Sequence, residues 1–459
     1  MNEEEVKNAP AAMKMKKMIG KGNENYQFGI TVTTLDCSGC GNCANVCPAK
    51  EKALVMKPID TQLEQQACFD YGTKLSVKEE LTAGVMNSKT SQFNQPLLEF
   101  SGACAGCGET PYAKLITQLF GNRMFISNAT GCSSIWGNSA PSTPYTVNQK
   151  GQGPAWANSL FEDNAEHGLG MYTANKQLRE RLRDQVLAID SADVKAAASE
   201  WVDTYEDGNA NEKATEKLVA ALEADGSAAS KAILDYKDIL SKKSVWIFGG
   251  DGWAYDIGFG GLDHVIASGE DVNIFVFDTE VYSNTGGQAS KSTPTGAVAQ
   301  FAAGGKPIKK KNLSEIAMSY GYVYVAQVAL GYDMNQTVKA IKEAESYHGP
   351  SLIIGYAPCI NHGIKGGMTH TQQIIKNAVT AGYWQTFRFD PRSIEEGKNP
   401  FQMDCKEPTG SYQDFIMGEV RYSSLKRKFP ERADELFAKS EEQAKERYNR
   451  WTKFGKLFE

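Results

Sequence analysis

Four cysteines near the start of the chain have the spacing of an iron–sulfur site. They follow the pattern Cys-x2-Cys-x2-Cys-x3-Cys-Pro and are Cys37, Cys40, Cys43 and Cys47. In bacterial iron–sulfur proteins this run lets three thiolates converge on one four-iron cubane. The neighbouring glycines at positions 39 and 41 allow the sharp backbone path that such a run needs. The pattern predicts a 4Fe-4S cluster, and a zinc knot or a chance spacing is the alternative.

The fourth cysteine of this run leaves open which cluster it binds. In proteins with two such clusters the corresponding cysteine binds the other cluster, yet residues 1–36 contain no cysteine. Either Cys47 serves a cluster whose other ligands lie on another polypeptide, or a single cysteine such as Cys68 takes its place. We favour the first interpretation. Cys68 and Cys405 are then expected to be small buried hydrophobic residues or inert surface thiols.

Cys104 and Cys107 form a second, shorter cysteine motif. Taken alone, a Cys-x2-Cys spacing fits half of a zinc site or a redox pair. The chain contains ten cysteines and begins with an acidic stretch that does not resemble a secretory signal. Thiols in the cytosol are kept reduced. We therefore expect the clustered cysteines to be ligands rather than disulfides.

A glycine-rich turn at residues 249–252 suits a diphosphate. The apolar run 245–248 leads into Gly-Gly-Asp-Gly, where missing side chains let backbone N–H groups approach phosphates and Asp251 can bind their divalent metal. The next apolar run ends at residues 278–284, about 30 residues beyond Asp251, with further oxygen donors. Hard oxygen donors suit Mg²⁺, and ligands of parallel sheets bind at the carboxyl edge.

This combination is the signature of a thiamine diphosphate site. An ordinary turn between a strand and a helix is the alternative interpretation. A dinucleotide site is excluded, because the glycines of residues 258–261 have the wrong spacing and follow no strand.

The elements that must position these residues indicate an α/β fold. From about residue 100 onward, short and nearly continuous apolar runs alternate with helical patterns, which predicts a parallel sheet with helices on both faces. These runs are residues 124–126, 245–248, 272–277, 322–328 and 352–354. A charged stretch rich in alanine and leucine, over about 172–242, predicts a helical insertion without a functional role.

We predict three parts along the chain. Residues 1–60 form a partial ferredoxin-like 4Fe-4S module, and residues 61–390 form the thiamine diphosphate-binding domain that carries the helical insertion. Residues 391–459 form a C-terminal arm. The arm ends in a charged helix over 430–458 that would be able to wrap around a neighbouring chain.

Length, charge and hydropathy exclude several classes of function. The chain has 459 residues, enough for about three domains. Its net charge of −6 gives no basic field for nucleic acid. No run of 18 or more apolar residues occurs, as a membrane span would require. The sequence therefore predicts a soluble, cytoplasmic protein that binds neither nucleic acid nor membrane.

Longer motifs occur at five places in the chain. They are the cysteine run continued through Leu54, Gly-Ala-Cys-Ala-Gly-Cys-Gly-Glu-Thr-Pro-Tyr at 102–112, Ala-Thr-Gly-Cys-Ser-Ser-Ile-Trp-Gly at 129–137, Asn-Ser-Leu-Phe-Glu-Asp-Asn-Ala-Glu at 158–166 and Tyr-Ser-Asn-Thr-Gly-Gly-Gln at 282–288. Together they resemble the pyruvate:ferredoxin (flavodoxin) oxidoreductases, a family of thiamine diphosphate-dependent 2-oxoacid:ferredoxin oxidoreductases. The resemblance covers nearly the whole chain but only the C-terminal portion of those large enzymes.

The resemblance implies a set of site residues. It implies a proximal 4Fe-4S cluster held by Cys104, Cys107, Cys132 and Cys359. It implies Mg²⁺ on Asp251, Thr279 and the backbone carbonyl of Val281. It implies contacts with thiamine diphosphate from Glu109, Cys132, Gly250, Asp251, Gly252, Trp253, Thr279, Glu280, Val281, Tyr282, Ser283 and Asn284. Asn284 would also lie near the substrate, and Asn284 and Glu109 are the candidate catalytic residues.

A calcium site near Asp271 and Asn273, with Ser351 nearby, occurs in some relatives. Two ordinary solvated loop residues are the alternative interpretation of Asp271 and Asn273. The resemblance does not decide between the two.

The resemblance also implies an activity and its partners. It implies oxidative decarboxylation of pyruvate to acetyl-CoA with coenzyme A, with electrons passed through 4Fe-4S clusters to ferredoxin or flavodoxin, in a homodimer. The upstream domains of the family have no counterpart here, and with them the carboxylate that activates the aminopyrimidine ring and the main pyruvate-binding residues are missing. We therefore expect missing N-terminal domains or a partner subunit. The alternative is a non-catalytic iron–sulfur electron-transfer module that needs a partner chain.

Overall fold

A computed structural model describes residues 1–20, 22–78, 81, 85–139 and 143–457 of the chain. The strands in these residues are β1 (Lys16–Lys17), β2 (Gln27–Phe28), β3 (Met124–Ala129), β4 (Ala155–Ser159), β5 (Ser244–Gly250), β6 (Asn273–Asp278), β7 (Tyr324–Val328), β8 (Ser351–Tyr356), β9 (Phe387–Phe389) and β10 (Phe401–Met403).

The α-helices of the same residues surround these strands. They are α1 (Glu3–Lys7), α2 (Asn42–Val46), α3 (Gln65–Gly72), α4 (Thr110–Phe120), α5 (Cys132–Ser134), α6 (Asn164–Leu187), α7 (Ala192–Asp203), α8 (Gly208–Asp225), α9 (Ala228–Leu234), α10 (Lys237–Leu240), α11 (Phe259–Ala267), α12 (Leu313–Met318), α13 (Met334–Glu345), α14 (Thr371–Thr380), α15 (Arg392–Glu395), α16 (Tyr412–Met417), α17 (Val420–Lys428) and α18 (Pro430–Phe454). Within the described part of the chain, no helix is both long and apolar enough to cross a membrane.

Among the described strands, β3 to β10 form one eight-stranded sheet in the order β10-β9-β7-β8-β6-β5-β3-β4. The six strands from β7 to β4 are parallel. The two at the other edge, β9 and β10, run antiparallel to their neighbours. The predicted parallel sheet is confirmed, although no apolar run had indicated β4, β9 or β10.

Both faces of the sheet are buried. In β5, Val245 and Ile247 pack into one apolar cluster, whereas Trp246 and Phe248 pack into another on the opposite face. Because successive side chains of a strand point to opposite faces, a strand covered on both sides is apolar at every position. This explains the unbroken apolar runs of the sequence.

The helical stretch before β5 has an apolar core of its own. Leu182, Trp201 and Leu218 are buried in a cluster contributed by α6 to α10. The first turns of α6 pack instead against the main sheet, so closely that a Cβ atom at Gly168 would lie 2.4 Å from the Ile247 side chain. The helix that opens the insertion thus begins at Asn164, within the packing of the sheet.

The C-terminal helix packs against its own chain. Ala433, Leu436, Phe437 and Trp451 of α18 are buried in the apolar cluster on one face of the sheet. The apolar face of the helix is therefore covered within this chain, and its contact with a neighbouring chain stays a prediction. Residue 458, the predicted end of the helix, lies outside the described residues.

A buried arginine joins the antiparallel edge of the sheet to α13. Arg388 on β9 donates to both carboxylate oxygens of Glu343, at 2.7 and 2.8 Å, and to both of Asp404, at 2.9 and 3.0 Å. Replacing Arg388 by leucine leaves Asp404 and Glu343 facing each other, with only the exposed Lys339 as a cation 3.7 Å from Glu343. We expect the free energy of unfolding to fall by about 3–5 kcal/mol in urea titrations.

Arg450 provides the control for this prediction. Its guanidinium binds Glu315 at 2.9 Å on the exposed surface. Because exposed ion pairs contribute about 0–1 kcal/mol, Arg450→Leu should leave the urea midpoint nearly unchanged. Equal shifts in the two variants would contradict the prediction.

Candidate functional site

The predicted site residues follow four neighbouring strands. Strands β3, β5, β6 and β8 are adjacent and parallel, so the segments after them leave from the same edge of the sheet. These segments carry, in strand order, Cys132, Asp251, residues 279–284 and Cys359. The topology thus brings together residues that are far apart in sequence.

Helix α4 brings the Cys104–Cys107 turn to the same edge. It precedes β3 and runs against the strand direction, so its first turn lies beside the strand ends. The Gly108 N–H donates to the Pro358 carbonyl at 3.2 Å, next to Cys359. Glycine is required for this approach, because a Cβ at position 108 would lie 2.7 Å from Pro358 N.

Three oxygen donors predicted to bind Mg²⁺ converge beyond β5 and β6. Thr279 Oγ1 lies 2.9 Å from Asp251 Oδ1 and 3.0 Å from the Val281 carbonyl oxygen. Ligands at 2.0–2.1 Å from an octahedral Mg²⁺ are separated by roughly 2.9 Å along each octahedral edge. The donor set therefore fits a divalent cation in both chemistry and spacing.

Asp251 is buried in a setting that disfavours its charge. Its Oδ2 accepts a hydrogen bond from Ser290 Oγ at 2.6 Å. Burial and the neighbouring Asp278 carboxylate raise the pKa of Asp251 well above its usual range. A divalent cation at this position would stabilise the charged carboxylate and so offset both effects. An aspartate with only a structural role would not need such a cation.

A cleft of 140 Å³ opens beside these oxygens. Its walls come mainly from the segments that follow β3, β5 and β6, with Glu109 just before α4 and Phe161 after β4. The lining residues are Glu109, Thr130, Gly131, Cys132, Ser133, Phe161, Gly250, Gly252, Trp253, Val281, Tyr282, Ser283, Asn284 and Thr285. Most of the predicted contacts to thiamine diphosphate therefore share one cleft.

The segment after β5 forms a wide helical turn at the base of this cleft. A π-helical turn over Gly252–Ile257 follows Asp251, and the α-helix after it, α11, begins only at Phe259. A Cβ at Gly252 would lie 2.6 Å from the Tyr282 ring. The predicted turn without side chains is present, and wide helical turns of this kind are common at functional sites.

Glu109 is a buried carboxylate in the wall of the cleft. Trp136 Nε1 donates to its Oε2 at 2.8 Å. Burial raises the pKa of Glu109 to about 7, even though the Trp136 hydrogen bond favours the charged form.

Four cysteines gather beside the same cleft. Cys132 Sγ lies 3.3 Å from Ser283 Oγ, and the Asn361 amide donates to both the Ser283 carbonyl, at 3.1 Å, and Cys359 Sγ, at 3.6 Å. Burial raises the pKa of Cys359 to about 11, with the Glu109 carboxylate and the Cys104 thiolate adding to the shift. The thiols are thus close enough to disfavour one another's ionisation.

The sulfurs are nevertheless too widely spaced for a single zinc ion. Around one zinc with bonds of 2.3 Å, tetrahedral sulfurs lie roughly 3.8 Å apart. Throughout the described residues, no three cysteine sulfurs lie within 4.8 Å of one another.

The N-terminal cysteine run has the backbone that the sequence predicted. Gly39 and Gly41 adopt φ angles of 67° and 78°, in the left-handed region. Helix α2 contains Cys43 and ends before Cys47, whose Sγ accepts from the Ala53 N–H at 3.3 Å. Cys68 and Cys405 are both buried, as expected for lone cysteines.

A short segment after β8 contacts both cysteine motifs. The Met368 carbonyl accepts from Asn42 Nδ2 at 3.0 Å and from Thr371 Oγ1 at 2.7 Å. The Thr371 hydroxyl lies 2.6 Å from the Gly106 carbonyl. The Thr369 hydroxyl donates to the Cys40 carbonyl. We call residues 368–371 the bridging segment, and nothing in the sequence marked it as part of the site.

The residues named for calcium are engaged elsewhere. Lys242 Nζ pairs with Asp271 Oδ2 at 2.9 Å, and Asn273 Nδ2 donates to the Val245 carbonyl at 3.3 Å. Asp271 also lies near Glu206 and His348. A cation on Asp271 would have to compete with the lysine, and calcium stays a prediction.

The Glu280 side chain does not face the cleft. It points to the other side of the loop, where it pairs with Lys310 at 3.0 Å and with Arg421 at 2.9 Å. Any contact of residue 280 with a bound cofactor would therefore involve its backbone.

Comparisons with known proteins agree with this geometry. Residues 197–354 match the family "Thiamine pyrophosphate enzyme, C-terminal TPP binding domain". The pyruvate:ferredoxin oxidoreductase of Moorella thermoacetica is 56% identical over 97% of this chain. The pyruvate-flavodoxin oxidoreductase of Enterobacter agglomerans is 54% identical over 99% of it. The chain corresponds to the C-terminal portion of these oxidoreductases.

The match leaves most of each relative uncovered. This chain spans 39% of the length of both oxidoreductases. It is also 49% identical, over 98% of its residues, to the mitochondrial pyruvate dehydrogenase [NADP(+)] of Euglena gracilis, of which it spans 25%. The chain thus combines a region that matches a thiamine pyrophosphate-binding domain with a cysteine-rich N-terminal region, and it is similar to a portion of these oxidoreductases.

Proposed function

We propose that this chain is part of a pyruvate:ferredoxin (flavodoxin) oxidoreductase. It would bind Mg²⁺–thiamine diphosphate and, through two sets of cysteines, iron–sulfur clusters. The reaction would be oxidative decarboxylation of pyruvate to acetyl-CoA, with ferredoxin or flavodoxin as the electron acceptor. The observation that carries the proposal is the convergence of Asp251, Thr279 and Val281 oxygens beside a cleft that Cys132 also lines.

Each part of the site would have a separate task. Asp251, Thr279 and the Val281 carbonyl would hold the metal that neutralises the diphosphate. Thiamine diphosphate, when bound, supplies the carbanion chemistry and the electron sink for decarboxylation. Glu109, in the wall of the cleft, would exchange a proton with the bound cofactor, and Asn284 would orient the substrate. The cysteines would hold the groups that accept electrons one at a time.

The arrangement of the two cysteine motifs supports an electron path away from the cleft. Cys104, Cys107, Cys132 and Cys359 would hold a 4Fe-4S cluster next to the cofactor. Cys37, Cys40 and Cys43 would bind a second cluster, completed by a cysteine outside this chain, and Cys47 would serve a further one. The bridging segment, residues 368–371, hydrogen-bonds to both motifs.

The chain alone would lack part of the catalytic machinery. Because it spans 39% of its relatives, we propose that the aminopyrimidine activator, most pyruvate contacts and the homodimer contacts lie on further polypeptide. An isolated chain would then behave as an electron-transfer module that holds the cofactors without efficient turnover.

Anaerobic reconstitution tests this proposal. The chain is treated with iron, sulfide, Mg²⁺ and thiamine diphosphate, and bound iron, acid-labile sulfide and cofactor are quantified after desalting. We expect iron and sulfide in equal amounts, Mg²⁺-dependent retention of thiamine diphosphate, and little viologen reduction with pyruvate and coenzyme A. Retention of zinc instead of iron, or no retention of the cofactor, would contradict the proposal. Rapid pyruvate oxidation by the chain alone would show that it is catalytically complete.

A further inference from the structure

We call residues 279–284, which follow β6, the metal loop. One buried residue of this loop has an unfavourable backbone conformation. Among the described residues other than glycine, Phe100, Glu280 and Phe301 have positive φ angles. Phe100 and Phe301 are 51% and 93% exposed, whereas Glu280 is 1% exposed. A left-handed conformation is disfavoured for residues with a Cβ atom, and it persists only where the surroundings enforce it.

Glu280 stands between two of the proposed metal ligands. Its φ of 61° reverses the chain between Thr279 and Val281. The reversal lets the Thr279 hydroxyl reach the Val281 carbonyl at 3.0 Å while it also reaches Asp251. In an extended conformation, residue 280 would separate the two donors. The unfavourable φ angle is therefore what makes the donors converge.

Buried cations hold the Glu280 side chain from behind the loop. Lys310 Nζ lies 3.0 Å from Oε1 and Arg421 Nη2 lies 2.9 Å from Oε2, where the Tyr383 hydroxyl also donates. Two cations and a hydroxyl therefore fix the carboxylate in place.

The anchors come from distant parts of the chain. Arg421 lies on α17 in the C-terminal arm, where Glu419 binds its Nε at 2.7 Å. Lys310 also pairs with Asp278 at 2.7 Å, at the end of β6. The backbone of residue 280 is fixed as well, since its N–H donates to Asp278 Oδ1 and its carbonyl accepts from Thr293 Oγ1.

We propose that Glu280 is a positioning residue for the divalent cation. Its carboxylate, tied to Lys310 and Arg421, keeps residue 280 left-handed so that its neighbours present their oxygens toward Asp251. The C-terminal arm thereby determines the affinity of a metal site to which it contributes no ligand. This inference rests on the proposed Mg²⁺–thiamine diphosphate site.

A comparison of Glu280→Gly with Glu280→Ala tests the inference. Both variants remove the same carboxylate from Lys310 and Arg421, so they differ only in the Cβ atom. Glycine adopts a positive φ without penalty, whereas alanine does not. The probe is Mn²⁺ with thiamine diphosphate, and free Mn²⁺ is followed by EPR in the full-length chain. We expect Glu280→Ala to bind Mn²⁺ roughly five- to thirtyfold more weakly than Glu280→Gly.

A milder variant tests the inference even if Glu280→Gly and Glu280→Ala do not fold. Tyr383→Phe removes one hydrogen bond to Glu280 and no charge, and it should weaken Mn²⁺ binding roughly two- to tenfold. Tyr412→Phe is the matched control, because its hydroxyl contacts Ser440 at 2.7 Å instead. It should not change Mn²⁺ binding.

The outcomes separate this inference from the proposed function. Equal Mn²⁺ affinities for the glycine and alanine variants, or an unchanged affinity in Tyr383→Phe, would overturn the positioning role. Failure of the unmodified chain to bind Mn²⁺ in the presence of thiamine diphosphate would overturn the proposed site itself.

Discussion

Asp251→Asn is expected to abolish Mg²⁺-dependent binding of thiamine diphosphate. The substitution removes the one carboxylate among the three converging donors, and the remaining hydroxyl and carbonyl carry no charge to balance the cation. Loss of an indirect partner of a metal ligand typically weakens metal binding 10- to 100-fold. We therefore expect at least roughly 100-fold weaker binding for a direct ligand, measured by calorimetric titration of the chain with the cofactor in excess Mg²⁺.

The same variant should fold as well as the unmodified chain. Burial beside Asp278 already disfavours a charge at this position, and asparagine has nearly the same shape. The Thr279 hydroxyl can still donate to Oδ1, and Ser290 Oγ can accept from the new amide. Thermal unfolding without metal should show no loss of stability, whereas the rise in midpoint caused by Mg²⁺ and cofactor should disappear.

Asp263→Asn is the control for this prediction. Asp263 lies on α11 and accepts from the Tyr320 hydroxyl at 2.8 Å, away from the cleft. Cofactor binding should be unchanged in this variant. Binding of thiamine diphosphate to Asp251→Asn at the original affinity would show that Asp251 does not hold the metal.

Cys359→Ala is expected to remove one cluster and to leave the cofactor site intact. Four irons per chain should be lost, since a cubane cannot form on three of the proposed thiolates with the same stability. The diphosphate site should survive, because its oxygens belong to other segments. The measurements are iron and acid-labile sulfide per chain, the EPR spectrum after reduction, and calorimetric titration with thiamine diphosphate.

Cys405→Ala is the matched control. Cys405 is also buried, but it belongs to the C-terminal arm and lies in the apolar cluster on one face of the sheet. This variant should keep its full iron content. Loss of iron from both variants would indicate a general effect of unfolding, and full iron in Cys359→Ala would exclude this cysteine as a ligand.

The sequence predicted the central sheet because its strands are buried on both faces. The apolar runs at 245–248 and 272–277 were recognisable for that reason, and both were confirmed as strands. Strand β4 was not predicted, because its sequence Ala-Trp-Ala-Asn-Ser, at the edge of the sheet, contains no continuous run of large apolar residues. Strands β9 and β10 are three residues long and too short for any periodicity.

The metal loop could be predicted only in part. Asp251 and Thr279 follow recognisable strands, so a shared edge could be inferred for them. The direction of the Glu280 side chain could not, because it depends on Lys310 and Arg421, which no local pattern connects with residue 280. The hydrogen bonds that Asn42 and Thr371 make at the bridging segment could not be predicted either, for the same reason. Long-range polar contacts leave no periodic signal in one sequence.

The contacts of the bridging segment have a consequence for biosynthesis. Asn42 binds the Met368 carbonyl across 326 positions of the chain. A ribosome adds roughly 5–20 residues each second, and domains form as they emerge. The first cysteine run thus leaves the ribosome long before its docking surface has been made. A cluster in that run would therefore gain these contacts only after residues 368–371 have been made.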